Sequence, residues 1–180
     1  MNHLKQLLTL LVLLLLMGCG GSGHDSGLPL TVSDPDSGQP GSQLEHAANL
    51  VLAAQALESG EWSLMLSSRE ASDIYQIAGS LLFDQTKYEI VSVEAGGGLG
   101  GPDEAYFVNS YESAGELDFA YTSRYFGSIH SGNINLLRLK IRPVDSFSLT
   151  DFSLPTTPDK LLVRDSHKRA LETSFRRSGS

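Results

Sequence analysis

The chain contains one cysteine, one tryptophan and few basic residues. A single thiol, Cys19, can close no intrachain disulfide and cannot build a cysteine-ligated metal centre. The longest apolar stretch, 7–17, falls short of the about 20 residues that a membrane-spanning helix requires. Thirteen Lys and Arg stand against 21 Asp and Glu, for a net charge of −8. A nucleic-acid partner needs a basic face, and this balance argues against one. Positive charge gathers only toward the end, at Lys160, Arg164, Lys168, Arg169, Arg176 and Arg177. That cluster reads as a solvated edge followed by a basic tail over 176–180, with a contact patch for an acidic surface as the alternative.

Residues for catalysis or metal binding are scarce as well. His24, His46, His130 and His167 are scattered, and none has a second ligand at the spacing of a zinc site. His24-Asp25-Ser26 lies where no fold could hold a triad in geometry. Asp34-Pro35-Asp36 lacks the further acidic positions and closing Glu of a calcium loop. We therefore assign no catalytic residue, metal or cofactor, and expect a binding protein rather than an enzyme.

Cys19 takes its meaning from its neighbours. A start carrying His3 and Lys5, the apolar stretch 7–17 and the small Gly18 describe a secretory signal peptide over 1–18. Leu16-Met17-Gly18-Cys19 resembles the bacterial lipobox, whose cysteine is lipidated before cleavage leaves it as the first residue. The resemblance implies a membrane anchor through lipid on Cys19; two or more acyl chains hold stably where one binds marginally. Gly20 and Gly21 follow it rather than Asp, which resembles sorting to the outer membrane. Residues 19–43 then carry Gly, Ser, Asp and Pro with little to bury. Such a segment behaves as a flexible tether with a reach of roughly 25–30 Å. Over 44–59, Leu44, Ala48, Val51, Leu52 and Leu57 fall near one stripe and Gly60 stops it. This predicts a short helix, with an irregular lead-in as the alternative.

Beyond Gly60 the period changes to two. Trp62, Leu64 and Leu66 alternate with Ser63, Met65 and Ser67; Ile77, Gly79, Leu81 and Phe83 line one face; Leu117, Phe119 and Tyr121 alternate with Glu116, Asp118 and Ala120. Leu137, Leu139 and Ile141 alternate with Arg138, Lys140 and Arg142, so this strand has one wet face. Residues 161–165 and 170–175 flank Ser166-His167-Lys168 and read as a hairpin. Many short strands with regular turn signals predict an all-β antiparallel sandwich or barrel over 60–175, large enough for one core.

The order of landmarks resembles a cohesin domain. Residues 73–84 end in Phe83-Asp84, and 88–96 follow the family's strand that closes on a Gly-rich loop. Asn109 with 115–121 is similar to the cohesin "Asn … Gly-x-Ile-x-Val-Ala" strand. Residues 131–141 are similar to its "Ser-Gly-x-Gly-x-Leu-x-x-Leu-x-Phe" strand, with Asn133 and Ile141 departing from it. The resemblance implies a nine-strand jelly-roll sandwich and binding of an envelope protein partner, dockerin-like or other. The same superfamily includes carbohydrate-binding modules, so a polysaccharide is the alternative ligand.

Gly96-Gly97-Gly98-Leu99-Gly100-Gly101 contains a formal GxGxxG. A dinucleotide site needs a helix to start on that loop, and Pro102-Asp103-Glu104 leads instead to a strand. A mobile connection between strands is the expectation. Trp62 alternates with Leu64 and Leu66, which favours burial. For binding, the resemblance to cohesins implies docking on a flat sheet face. The residues chosen for it are Arg138 and Lys140 on the wet strand, and Asn109, Tyr125 and Phe126 beside it.

Overall fold

The computed structural model describes residues 47–112, 115–125 and 127–178. The expected signal peptide, Cys19 and tether lie outside these residues. So do Phe126, residues 44–46 of the expected helix and the last two of the basic tail. Nine strands follow in chain order: β1 (Ala47–Ala56), β2 (Trp62–Ile74), β3 (Gln76–Leu82), β4 (Tyr88–Ala95), β5 (Ala105–Glu112), β6 (Glu116–Ser123), β7 (His130–Pro143), β8 (Leu161–Arg164) and β9 (Glu172–Arg177). They form a five-stranded sheet ordered β4-β7-β2-β1-β9 and a four-stranded sheet ordered β5-β6-β3-β8. The all-β sandwich expected from the alternation is what forms.

Strand parity sets the core. On β2 and β7, Leu64 faces Leu139 and Leu66 faces Leu137 across the ladder, and all four are buried. The opposite sheet contributes Ile77 and Leu81 of β3 with Leu117, Phe119 and Tyr121 of β6. Ile77, Leu81, Phe83, Leu117, Phe119, Leu137 and Leu139 join one cluster, as their spacing predicts. Each such side chain contributes about 1.5–3 kcal/mol on leaving water. One end is closed by aromatics: Trp62 stacks on Phe147 at 3.9 Å, and Tyr88 and Phe83 meet Phe152 at 4.8 and 5.7 Å. The Tyr88 hydroxyl donates to Asp151 at 2.7 Å and accepts the Ser148 N–H at 2.9 Å, which pins the segment bearing Phe147. Trp62 is therefore half-buried against Phe147 rather than enclosed.

Several expectations change. The segment expected as a helix or lead-in is β1, and Gly60 sits in a hairpin turn at φ 78° rather than at a helix end. Ala48, Leu50 and Leu52 point inward with period two, but Val51 between them is buried as well, which blurs the alternation. Pairing with β2 on one side and β9 on the other then decides the conformation, since strand preference follows context. The expected hairpin around 166–168 is reduced to one bridge, Arg164 opposite Ala170. Past it the chain changes sheets, and β9 pairs with β1 in parallel, the one parallel ladder among the described residues. Finally, Arg176 and Arg177 belong to β9 rather than to a tail.

The Gly-rich connection between β4 and β5 is held, not loose. Gly96 N–H donates to Leu136 O and Gly98 N–H to Asn135 O, at 3.1 and 2.9 Å. A Cβ on Gly98 would lie 2.5 Å from Asn135 O and from Ile134 Cγ2. Leu99 is fully buried, and its N–H donates to the Tyr121 hydroxyl at 3.2 Å. These glycines admit close approach to β7, which explains the motif without a nucleotide.

Candidate functional site

The outer face of the four-stranded sheet is built from every second residue of four strands. Its middle row runs Val108, Ala120, Ala78, Leu162 across β5, β6, β3 and β8. On one side lies the row Tyr106, Thr122, Gln76, Arg164; on the other lie Ser110, Asp118 and Ser80. Ala78, Ala120, Ser80 and Thr122 keep the centre low, so the surface is a flat, mildly apolar strip with polar borders. Val108 is 64% exposed and Tyr106 58%. Among the described residues no element packs over this face.

The borders are fixed. Lys160 Nζ lies 2.7 Å from Glu116 Oε1, which holds the Glu116 carboxyl below its usual range and the Lys160 ammonium above its own. Ser80 donates its hydroxyl to Asp118. At the opposite border the Arg124 guanidinium sits 4.2 Å from the Tyr106 ring centre, a cation–π contact that holds an exposed aromatic upright. Beside it, Tyr106, Phe107, Tyr121 and Arg124 line a cleft of about 530 Å³ under the Gly-rich connection.

The residues selected from sequence do not share this face. Arg138 lies opposite Met65 and Glu94, and Lys140 opposite Ser63 and Ser92, on the outer face of the five-stranded sheet. Asn109 is opposite Phe119, on the inward side of β5, and is exposed because β5 is a sheet edge. Tyr125 is exposed in the connection from β6 to β7. Sequence reasoning missed Ala78, Ala120 and Leu162, whose only signal was their position between core residues.

Folding also assembles a group that spacing did not reveal. Ligand atoms of Asp73, Asp165 and His167 lie within 4.8 Å of one another. Both carboxylates already have donors: Asp73 Oδ2 accepts from Ser166, and Asp165 accepts from His167 N–H, Arg169 N–H and the Arg169 guanidinium. The Ser166 hydroxyl donates a hydrogen bond to Asp73 Oδ2, lies 3.4 Å from His167 Nδ1, and is buried. The arrangement binds the β8–β9 crossover to the end of β2.

Two packed sheets in this order define a cohesin-like β-sandwich. Its solved likenesses are cohesin modules. The type II cohesin A11 from Bacteroides cellulosolvens superposes with a TM-score of 0.60 at 10% identity, over 73% of this chain and 96% of that one. The sixth cohesin of Acetivibrio cellulolyticus scaffoldin B, solved with a Cel5 dockerin, gives 0.55 at 18% identity, over 72% and 94%. A type I cohesin–dockerin complex from Clostridium thermocellum gives 0.55 at 13% identity, over 73% and 90%. No family model and no curated protein matches the sequence.

Proposed function

We propose that the protein is a non-catalytic lipoprotein that displays its sandwich for protein–protein binding, with the outer face of the four-stranded sheet as the docking surface. The observation that carries this reading is the flat, uncovered row from Val108 to Leu162. Protein interfaces of this kind have a low-relief centre, a polar rim and a few large anchors. Tyr106 and Val108 are the anchors here. Cohesins of the same fold have been solved with dockerins, which supports a dockerin-like partner. In this reading Arg138 and Lys140 fall outside the docking surface. The lipid on Cys19 anchors the module to the outer membrane, in keeping with the lipobox-like run before it.

Two experiments test it. Ala120→Arg plants a long charged side chain in the centre of the face while leaving the core intact. Crosslinking in intact cells should capture a protein partner with the unaltered chain and lose it with Ala120→Arg, at unchanged melting temperature. Capture that survives Ala120→Arg refutes the face, and no capture with either chain refutes the binding role. For the anchor, Cys19→Ser should abolish labelling by a fatty-acid probe; persisting label refutes the lipidation.

A polysaccharide ligand is the second reading, and the cleft beside Tyr106 is what favours it. The exposed Tyr106 ring, next to Arg124 and Glu94, offers stacking and hydrogen bonds in one place. Trp62, the residue a sugar platform would otherwise use, spends one ring face on Phe147. Binding on a glycan array that is lost with Tyr106→Ala would favour the sugar over the protein.

A further inference from the structure

We infer that the protein carries a second binding site, for the carboxylates of an acidic peptide segment, in the arginine-lined cleft on the outer face of the five-stranded sheet. This is the opposite side of the sandwich from the docking surface proposed above.

The cleft measures about 530 Å³, has Val51 as its floor, and takes Arg69 from β2 and Arg176 from β9 as walls. Four other cations of this acidic chain are paired with carboxylates: Lys87 with Asp151, Arg142 with Glu61 and Glu89, Lys160 with Glu116, Arg169 with Asp165. Arg69 and Arg176 have no ion-pair partner among the described residues. Two unpaired guanidiniums on one cleft, in a chain of net charge −8, are an unmet demand for carboxylate. Arginine is suited to it, being permanently charged and able to hold a carboxylate by two parallel hydrogen bonds.

The backbone is bent to produce this arrangement. Ser68 pairs with Ile134 and Ala71 with Gly132, so β2 carries one extra residue where Arg69 and Glu70 sit. Such bulges re-aim side chains next to functional sites. Glu70 within this bulge has φ 53°, a left-handed conformation that side-chain-bearing residues rarely adopt. Strain of this sort persists only where the surrounding structure imposes it, and it gathers at ligand sites.

The geometry selects the ligand. Arg69 and Arg176 stand on strands separated by β1 and two registers apart, so their Cα atoms are roughly 12 Å from each other. That distance suits two carboxylates on one extended segment, where alternate side chains on the same face are about 6.5–7 Å apart and the long arginine stems close the difference. Arg177, whose Nε donates to Phe152 O at 2.7 Å, is anchored inward and serves as a fixed background charge.

The test is fluorescence anisotropy of the full chain with a fluorescein-labelled decapeptide of alternating glutamate and glycine. Saturable binding is expected, weakened by added salt and weakened by about tenfold or more in Arg69→Gln/Arg176→Gln. Arg142→Gln removes a single charge from the same sheet, outside the cleft, and is expected to change affinity by less than about twofold. Circular dichroism melts confirm that each variant is folded. The inference is overturned by absence of saturable binding, by equal affinity of the double variant, or by an Arg142→Gln effect as large as the double variant's. It is also overturned if inorganic phosphate displaces the peptide at equal concentration, or if anionic vesicles bind and the peptide does not. Because the site lies on the other sheet, Ala120→Arg reports on the docking surface and this pair reports on the cleft, so the two readings fail separately.

Discussion

Asp73 and Ser166, 93 residues apart in the chain, meet at one carboxylate oxygen: Asp73 Oδ2 accepts the Ser166 N–H at 3.1 Å and its hydroxyl at 2.6 Å. The contact ties the end of β2 to the turn from which the chain leaves the four-stranded sheet. Both residues are buried, so removing the acceptor strands two donors away from water. Asp73→Ala should cost about 1–3 kcal/mol, the penalty of buried donors left unpaired. Urea unfolding measures it, and a loss below about 0.5 kcal/mol would mean that water reaches the turn.

Asp165, next in the chain, makes stability depend on pH. Burial works against its ionised form. The Arg169 N–H and guanidinium and the His167 N–H outweigh that burial and hold the carboxyl below its usual range. A carboxyl depressed in the folded state contributes stability that is fully present above its unfolded value, about 3.9, and lost as pH falls through the lower folded value. The unaltered chain should therefore lose more stability than Asp165→Asn between neutral and strongly acidic pH. Parallel stability profiles for the two would contradict the assignment.

The glycines of the β4–β5 connection are not equivalent. A Cβ on Gly98 meets β7 backbone, whereas one on Gly101 meets nothing within 4 Å. Gly98→Ala should destabilise by about 1–3 kcal/mol, as overpacking does. Gly101→Ala should stay within about 0.5 kcal/mol, as open surface positions do. Thermal melts of the pair distinguish a packed connection from a loose one, since a loose one would tolerate both.

Trp62 is the chain's only tryptophan and reports directly on its partner. Phe147→Ala removes the ring stacked on it at 3.9 Å. Tryptophan emission of the folded protein should shift to the red, with a stability loss of at least about 0.5–1.5 kcal/mol, the worth of an aromatic pair. Unchanged emission would show that the stack does not persist in solution.

Alternation made the core readable from Trp62 onward because Leu64, Leu66, Leu137 and Leu139 mark one face without ambiguity. β1 was obscured by its alanines, which fit a helical stripe as well as a strand, and by Val51, buried on the wrong parity. The β8–β9 turn carried true local signals, yet a contact with distant Asp73 decided where the chain went next. The flat face was hardest to see. Ala78 and Ala120 carry no chemistry of their own and become a surface only when β3 and β6 pair. Arg69 and Arg176 illustrate the same limit, since residues so far apart in sequence acquire a shared purpose only through β1 between them.

The parallel pairing of β1 with β9 also bears on how the molecule stays apart from its copies. β1 reads Ala-Ala-Asn-Leu-Val-Leu-Ala-Ala-Gln-Ala, ten residues with neither a charge nor a proline. Left at a sheet margin, such a strand is a template for stacking against another chain. β9 occupies that margin, and it presents Glu172, Arg176 and Arg177 in its place. A proteolytic cut before Glu172 would thus expose a self-adhesive border while leaving most of the core unbroken, turning the module into a seed for aggregation.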